Sequence, residues 1–98
     1  MNVRILESAR RDLRKGYDFY ERQEIGVGDY FLDTLYSEID TLARFAGTHS
    51  TKAGYFRMLS GIFPYAAYYL IISNEAVVHA VLDCRRDPRR ILRRLRAR

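Results

Sequence analysis

Ninety-eight residues, 48% of them hydrophobic and 13% aromatic, make a single domain of a size that builds its core from few elements, and they exclude a disordered chain. The apolar runs are too short and too interrupted by charge to cross a bilayer, and the opening MNVRILESARRDL lacks an uninterrupted apolar signal stretch, so a cytoplasmic protein is expected. The net charge of +5 is local: residues 85 to 98 hold eight arginines and one acid, which leaves residues 1 to 84 at −2. Fifteen of the seventeen cations are arginine, whose planar fork suits carboxylates and phosphates, so the partner class to expect is a polyanion or an acidic peptide.

In chain order, Asn2 to Leu6 alternates weakly and reads as a short strand, with Ser8 as the N-cap of a following helix. Ala9, Leu13, Gly16, Tyr17 and Tyr20 recur at helical spacing and define one apolar face. Arg11, Asp12, Arg14, Lys15, Asp18 and Glu21 are assigned to the opposite, solvated face. The stretch from Gln23 to Gly28 breaks the pattern and reads as a connection; without a strand before it, Gly26-Val27-Gly28 is not a phosphate-binding loop. A second helix carries Phe31, Leu35, Ile39, Leu42 and Ala46 on one stripe and ends at Gly47. The short link makes the two helices an antiparallel hairpin, whose apolar face requires a sheet to cover.

Thr48 to Gly54 is polar and reads as a loop carrying a solvated His49 and Lys52. Three strand-like runs follow: Tyr55 to Ser60 with Arg57 inside it, Ile62 to Ile72, and Ala76 to Cys84. Pro64 donates no ladder hydrogen bond and belongs near the start of its strand or at an unpaired edge position. Ser73-Asn74-Glu75 is the turn before the last run, and Tyr65, Tyr68 and Tyr69 are assigned to core and sheet surface. His79 lies within the last run and is read as structural. Cys84 is the single cysteine; it forms no internal disulfide, has no neighbours at metal-ligand spacing, and is expected to be a small buried strand residue. Beyond Pro88, which suits a first helical turn, Ile91, Leu92 and Leu95 share one side of a short helix or tail surrounded by arginines. The fold class is α+β: an N-terminal strand, a helical hairpin packed on an antiparallel sheet in the order β-α-α-β-β-β, and a short basic C-terminal helix or tail.

With these residues in this order, the chain resembles the ParE branch of the RelE/ParE toxin superfamily, the toxins of type II toxin-antitoxin modules also described as plasmid-stabilisation proteins. The resemblance covers nearly the whole chain. It rests on Asp12-Leu13, Gly16-Tyr17 and Phe19-Tyr20-Glu21 in the first helix, on Gly26-Val27-Gly28 followed by Phe31, and on Arg57. It rests further on Phe63-Pro64-Tyr65 with Tyr68-Tyr69, and on Val81-Leu82-Asp83 leading to Arg85-Arg86-Asp87-Pro88.

The resemblance implies a toxin neutralised by a cognate antitoxin, with Arg57, Arg85, Arg86, Arg89 and Arg90 as the surface offered to antitoxin or target, and with neither metal nor cofactor. The ParE branch implies DNA gyrase as the target, inhibited by protein contact. The RelE branch implies a ribosome-dependent mRNA endoribonuclease, in which Arg57 and Arg85 or Arg86 match catalytic arginines. The rest of that apparatus is missing here, because only Lys52 stands near the first arginine and Arg89 to Arg98 contains no Tyr, His or Glu. The expectation is therefore a non-enzymatic toxin whose arginines stand without a proton-moving side chain beside them. The alternatives are the endoribonuclease and a non-toxic interaction or RNA-binding module on the same fold.

Overall fold

In a computed structural model, residues 1–97 are described. Strand β1 (Asn2–Ile5) leads to helix α1 (Glu7–Gln23), then α2 (Val27–Asp40) and a single further turn α3 (Leu42–Phe45). Strands β2 (Thr51–Lys52), β3 (Tyr55–Leu59), β4 (Tyr65–Ile72) and β5 (Glu75–Asp83) follow, and helix α4 (Pro88–Arg96) is the last of the described elements. The sheet runs β1-β5-β4-β3-β2; β1 lies parallel to β5, and the other pairings are antiparallel. This is the expected α+β architecture with two refinements: the polar loop contributes a two-residue edge strand, and the N-terminal strand adds a parallel edge.

The long apolar runs in β4 and β5 have a simple cause, because both faces of the sheet are covered. On one face Met58, Tyr65, Ala67, Tyr69, Val78 and Val81 pack against Ala9 and Leu13 of α1 and Phe31, Leu35 and Ile39 of α2. On the other, Tyr55, Ala66, Tyr68, Ala80 and Leu82 lie beneath Ile91 and Leu95 of α4. Burying each of these two α4 side chains is worth about 1.5–3 kcal/mol, which holds a nine-residue helix too short to persist alone in water. The basic C-terminus is thus a docked helix, with Asp87 as its N-cap accepting from the Arg89 amide and Pro88 at its start.

Several expectations are corrected. The N-cap of α1 is Leu6, without a side-chain cap, while the Ser8 hydroxyl donates to the His79 carbonyl at 2.8 Å. Asp12 is not solvated but 6% exposed, and Glu21 is half-buried. The Glu21 carboxylate accepts from the amides of Gly26 and Gly28 at the N-terminus of α2, where the helix dipole favours an anion. The glycine-containing connection therefore binds the chain's own carboxylate.

The second helix breaks at Thr41, whose hydroxyl bonds to the Glu38 carbonyl and competes with the backbone ladder. Strand β4 begins at Tyr65 rather than Ile62, since the Ser60 hydroxyl accepts from the amides of Ile62 and Phe63 and closes a turn that leaves Pro64 just outside the strand. The β4–β5 turn is the two residues Ser73 and Asn74, both at positive φ (50° and 60°), with Ile72 paired to Glu75. That twist matches a tight hairpin. His49 is half-buried, with its Nδ1 2.6 Å from the Tyr69 hydroxyl. Cys84 is exposed, one residue past the end of β5.

Candidate functional site

The β-bulge opposite Tyr68 and Tyr69 places His79 as the extra residue of β5, between the partners of Tyr69 (Val78) and Tyr68 (Ala80). It faces Tyr55, with ring centroids 5.4 Å apart at 66°. His79 therefore occupies a packed position within the sheet, as a structural residue does.

Arg57 lies on β3 directly opposite Tyr68 on β4. It is half-buried, its Nε is buried without a hydrogen-bond partner, and the Tyr68 hydroxyl is within hydrogen-bonding reach of its guanidinium. Burial is the main cause that raises the Tyr68 pKa, and the adjacent Arg57 charge only partly opposes it. Tyr68 therefore keeps its proton at neutral pH. It is also 1% exposed under α4.

At the end of β5, Arg85 grips Asp83 through two hydrogen bonds, Nε to Oδ1 at 3.0 Å and Nη2 to Oδ2 at 2.7 Å. The Asp83 carboxyl is accordingly held below its usual range, first by that hydrogen bond, and the Arg85 guanidinium is held further into its charged form. Tyr20 from α1 and Tyr65 from β4 complete the cluster. Burial raises both phenols, Tyr65 to about 12 with Asp83 as the next cause, while Arg85 lies within hydrogen-bonding reach of Tyr20. Here too the expectation is corrected: tyrosines do stand beside two of the arginines, as phenols that hold their protons.

Arg89 is tied to the N-cap carboxylate of Asp87, at 3.0 Å and 3.4 Å. Arg86 and Arg90 are exposed, and among the described residues neither has a carboxylate partner; with Arg93, Arg94 and Ala97 they line a shallow groove beside α4. The five arginines singled out from the sequence are therefore not equivalent. Arg57 is recessed, Arg85 and Arg89 spend their forks on nearby acids, and Arg86 and Arg90 present free charge.

One pairing beside the site escaped the sequence. Arg94 is bidentate to Asp12 of α1, at 2.8 Å and 2.7 Å, and Asp12 also accepts from the Val81 amide at 3.0 Å. The signal was present in the spacing: positions 9, 12, 13 and 16 share a helix face, as do 91, 94 and 95. Among the described residues no cluster of three or more His, Cys, Asp or Glu is placed to hold a metal ion. No helix there is long and apolar enough to cross a membrane. Cys84 is exposed as a residue, but partial desolvation of its thiol raises its pKa, which disfavours a reactive thiolate.

This architecture is shared with a chain in a solved structure described as the chromosomal ParDE TA system from P. aeruginosa. The likeness has a TM-score of 0.75 at 16% sequence identity and covers 83% of this chain and 92% of that one. The two chains thus share a fold at low sequence identity. No protein-family model matches the chain. No curated protein matches it either.

Proposed function

We propose that this chain is the toxin component of a type II toxin-antitoxin module, ParE-like, acting in the cytoplasm on DNA gyrase by protein contact and neutralised by a cognate antitoxin. The observation that carries this reading is the likeness over nine-tenths of a chain from a ParDE system. The free guanidinium groups of Arg86 and Arg90 supply the charge to which an acidic antitoxin segment can pair. Such a segment must offset the entropy of its own ordering, and charge complementarity on a rigid surface favours it.

The endoribonuclease reading draws on the arginines that stand beside tyrosines, Arg57 by Tyr68 and Arg85 by Tyr20 and Tyr65, whose phenols are likewise raised. Abstraction of a 2′-hydroxyl proton needs a base with a pKa near the working pH, and the buried, protonated Tyr68 supplies none. The contact-toxin reading is therefore favoured.

Expression of the chain alone is expected to arrest growth, and co-expression of the adjacent reading frame to relieve it. Purified protein is expected to inhibit gyrase supercoiling. Cleavage of mRNA in the ribosomal A site, with supercoiling untouched and with loss of cleavage in Arg57→Ala, would replace this reading with the endoribonuclease. An interaction module is left if neither activity is found.

A further inference from the structure

We infer that the outer face of α4 is a binding site for the phosphate backbone of double-stranded DNA, independent of sequence, and that the protein itself holds DNA by this helix. The inference does not depend on the toxin reading. Of the arginines in and before α4, the geometry removes three: Arg85 to Asp83, Arg89 to Asp87 and Arg94 to Asp12. Arg86, Arg90, Arg93 and Arg96 remain exposed with no acid partner among the described residues. Positions 90, 93 and 96 lie three apart on α4, on the side away from Ile91 and Leu95, so their free forks form a broad stripe over the outer face of the helix, to which Arg86 adds its charge from the turn before Pro88.

That stripe is rigid. Ile91 and Leu95 seat α4 on the sheet, and the Asp12–Arg94 pair locks it to α1, on which Arg11 and Lys15 flank Asp12 as exposed cations one position back and one turn on. Because the helix is already seated, no backbone ordering is needed on meeting phosphates, and duplex DNA presents one negative charge per ~1.7 Å of its axis.

The occupant follows from what the face lacks. An acidic segment can still pair with Arg86 and Arg90 at the start of the helix, but an amphipathic peptide laid along Arg93 and Arg96 needs apolar contact beside its charges, and there the face offers only a half-buried Leu92 and the small Ala97. Single-stranded nucleic acid is held chiefly by stacking on aromatic rings, and α4 contains none. A duplex backbone requires neither, only regularly spaced donors of positive charge.

The test is fluorescence anisotropy with the full chain and a labelled 20-base-pair duplex of arbitrary sequence, titrated at several salt concentrations. With about four phosphates neutralised, log K is expected to fall with log[salt] at a slope of about −3 to −4. The exposed changes Arg90→Gln, Arg93→Gln and Arg96→Gln should each reduce that slope by about 1. Thermal melts of the variants, with Arg94 left intact, check that the fold persists. Absence of duplex binding at low salt, or an unchanged slope in the triple variant, overturns the inference. So does equal or tighter binding of single-stranded DNA, or of poly-glutamate at matched charge, which would assign the face to a different partner.

Discussion

Arg94 of α4 holds both oxygens of the Asp12 carboxylate on α1, across 82 residues of sequence, and Asp12 in turn accepts from the Val81 amide of β5. Strand β1 pairs with β5 only as far as Val78. Beyond it, α1 takes over the exposed edge: Ser8 donates to the His79 carbonyl, and Asp12 receives the Val81 amide. One carboxylate therefore closes a sheet edge and anchors the basic helix.

Removing Arg94 and removing Asp12 are consequently unequal. Arg94→Ala leaves a carboxylate that is 6% exposed with one amide as its partner, and breaking a buried pair in this way costs about 3–5 kcal/mol. Asp12→Asn keeps an acceptor for Val81 and releases an Arg94 that is 31% exposed and can turn to water, so it is expected to cost about 1–2 kcal/mol. Urea denaturation of the two variants and of the double mutant measures this. Equal losses, or strict additivity in the double mutant, would contradict the arrangement.

Gly16 sets the spacing of the helical hairpin. A Cβ there would lie 2.4 Å and 2.5 Å from two ring carbons of Phe31, which is fully buried and wedged among Tyr20, Phe63 and Tyr65. The ring has nowhere to move. Gly16→Ala is therefore expected to destabilise by about 1–3 kcal/mol despite alanine's better helix propensity, as overpacking does. A drop in Tm of about 4–8 °C per kcal/mol would register it in a thermal melt.

The elements were legible in the sequence because their periodicity is strong. The hairpin stripe of Leu13, Phe31, Leu35 and Ile39 and the aromatic run of β4 both reach the core as their spacing requires. What escaped were polar residues on those same stripes. Asp12 and Arg94 each sit among apolar neighbours at helical spacing, and a charge there reads as solvated until its partner, far away in sequence, is known. The end of β5 was misjudged for another reason: Cys84 donates its amide to the Pro64 carbonyl and turns the chain outward, so the strand stops one residue early. Arg57, Arg85, Arg86, Arg89 and Arg90 could be singled out from the sequence, but which of them stay free could not, since Asp83 and Asp87 choose their partners by local backbone geometry.

The His49–Tyr69 contact predicts a pH dependence of stability. Tyr69 accepts from the Gly47 amide at 2.9 Å, so its own proton serves the neutral His49 ring at 2.6 Å, and burial lowers the histidine pKa in the folded state. The unfolded chain, with an ordinary histidine pKa of about 6.5, then binds more protons than the folded one just below that value. Stability should be complete above about pH 6.5 and decline as pH falls through the window down to the lowered folded pKa. Denaturant midpoints between pH 5 and 7.5 should show this slope in the native chain and lose it in His49→Phe. A slope that survives the substitution points to other groups.

The distinction between free and spent arginines makes a prediction about partner binding. Arg85 has its fork on Asp83, whereas Arg86 beside it has no such partner among the described residues, although both are exposed and adjacent in sequence. Arg86→Gln, and more so Arg86→Glu, should weaken association with the acidic antitoxin segment proposed as its partner, by about tenfold for the charge reversal, chiefly through a slower on-rate that is most affected at low salt. Arg85→Gln should change association by less than about threefold, because the charge it removes is already balanced, and should instead loosen the end of β5. Stopped-flow association at two ionic strengths separates the cases. If Arg85→Gln slows binding as much as Arg86→Gln, the Asp83 pair opens on contact and Arg85 belongs to the recognition surface after all.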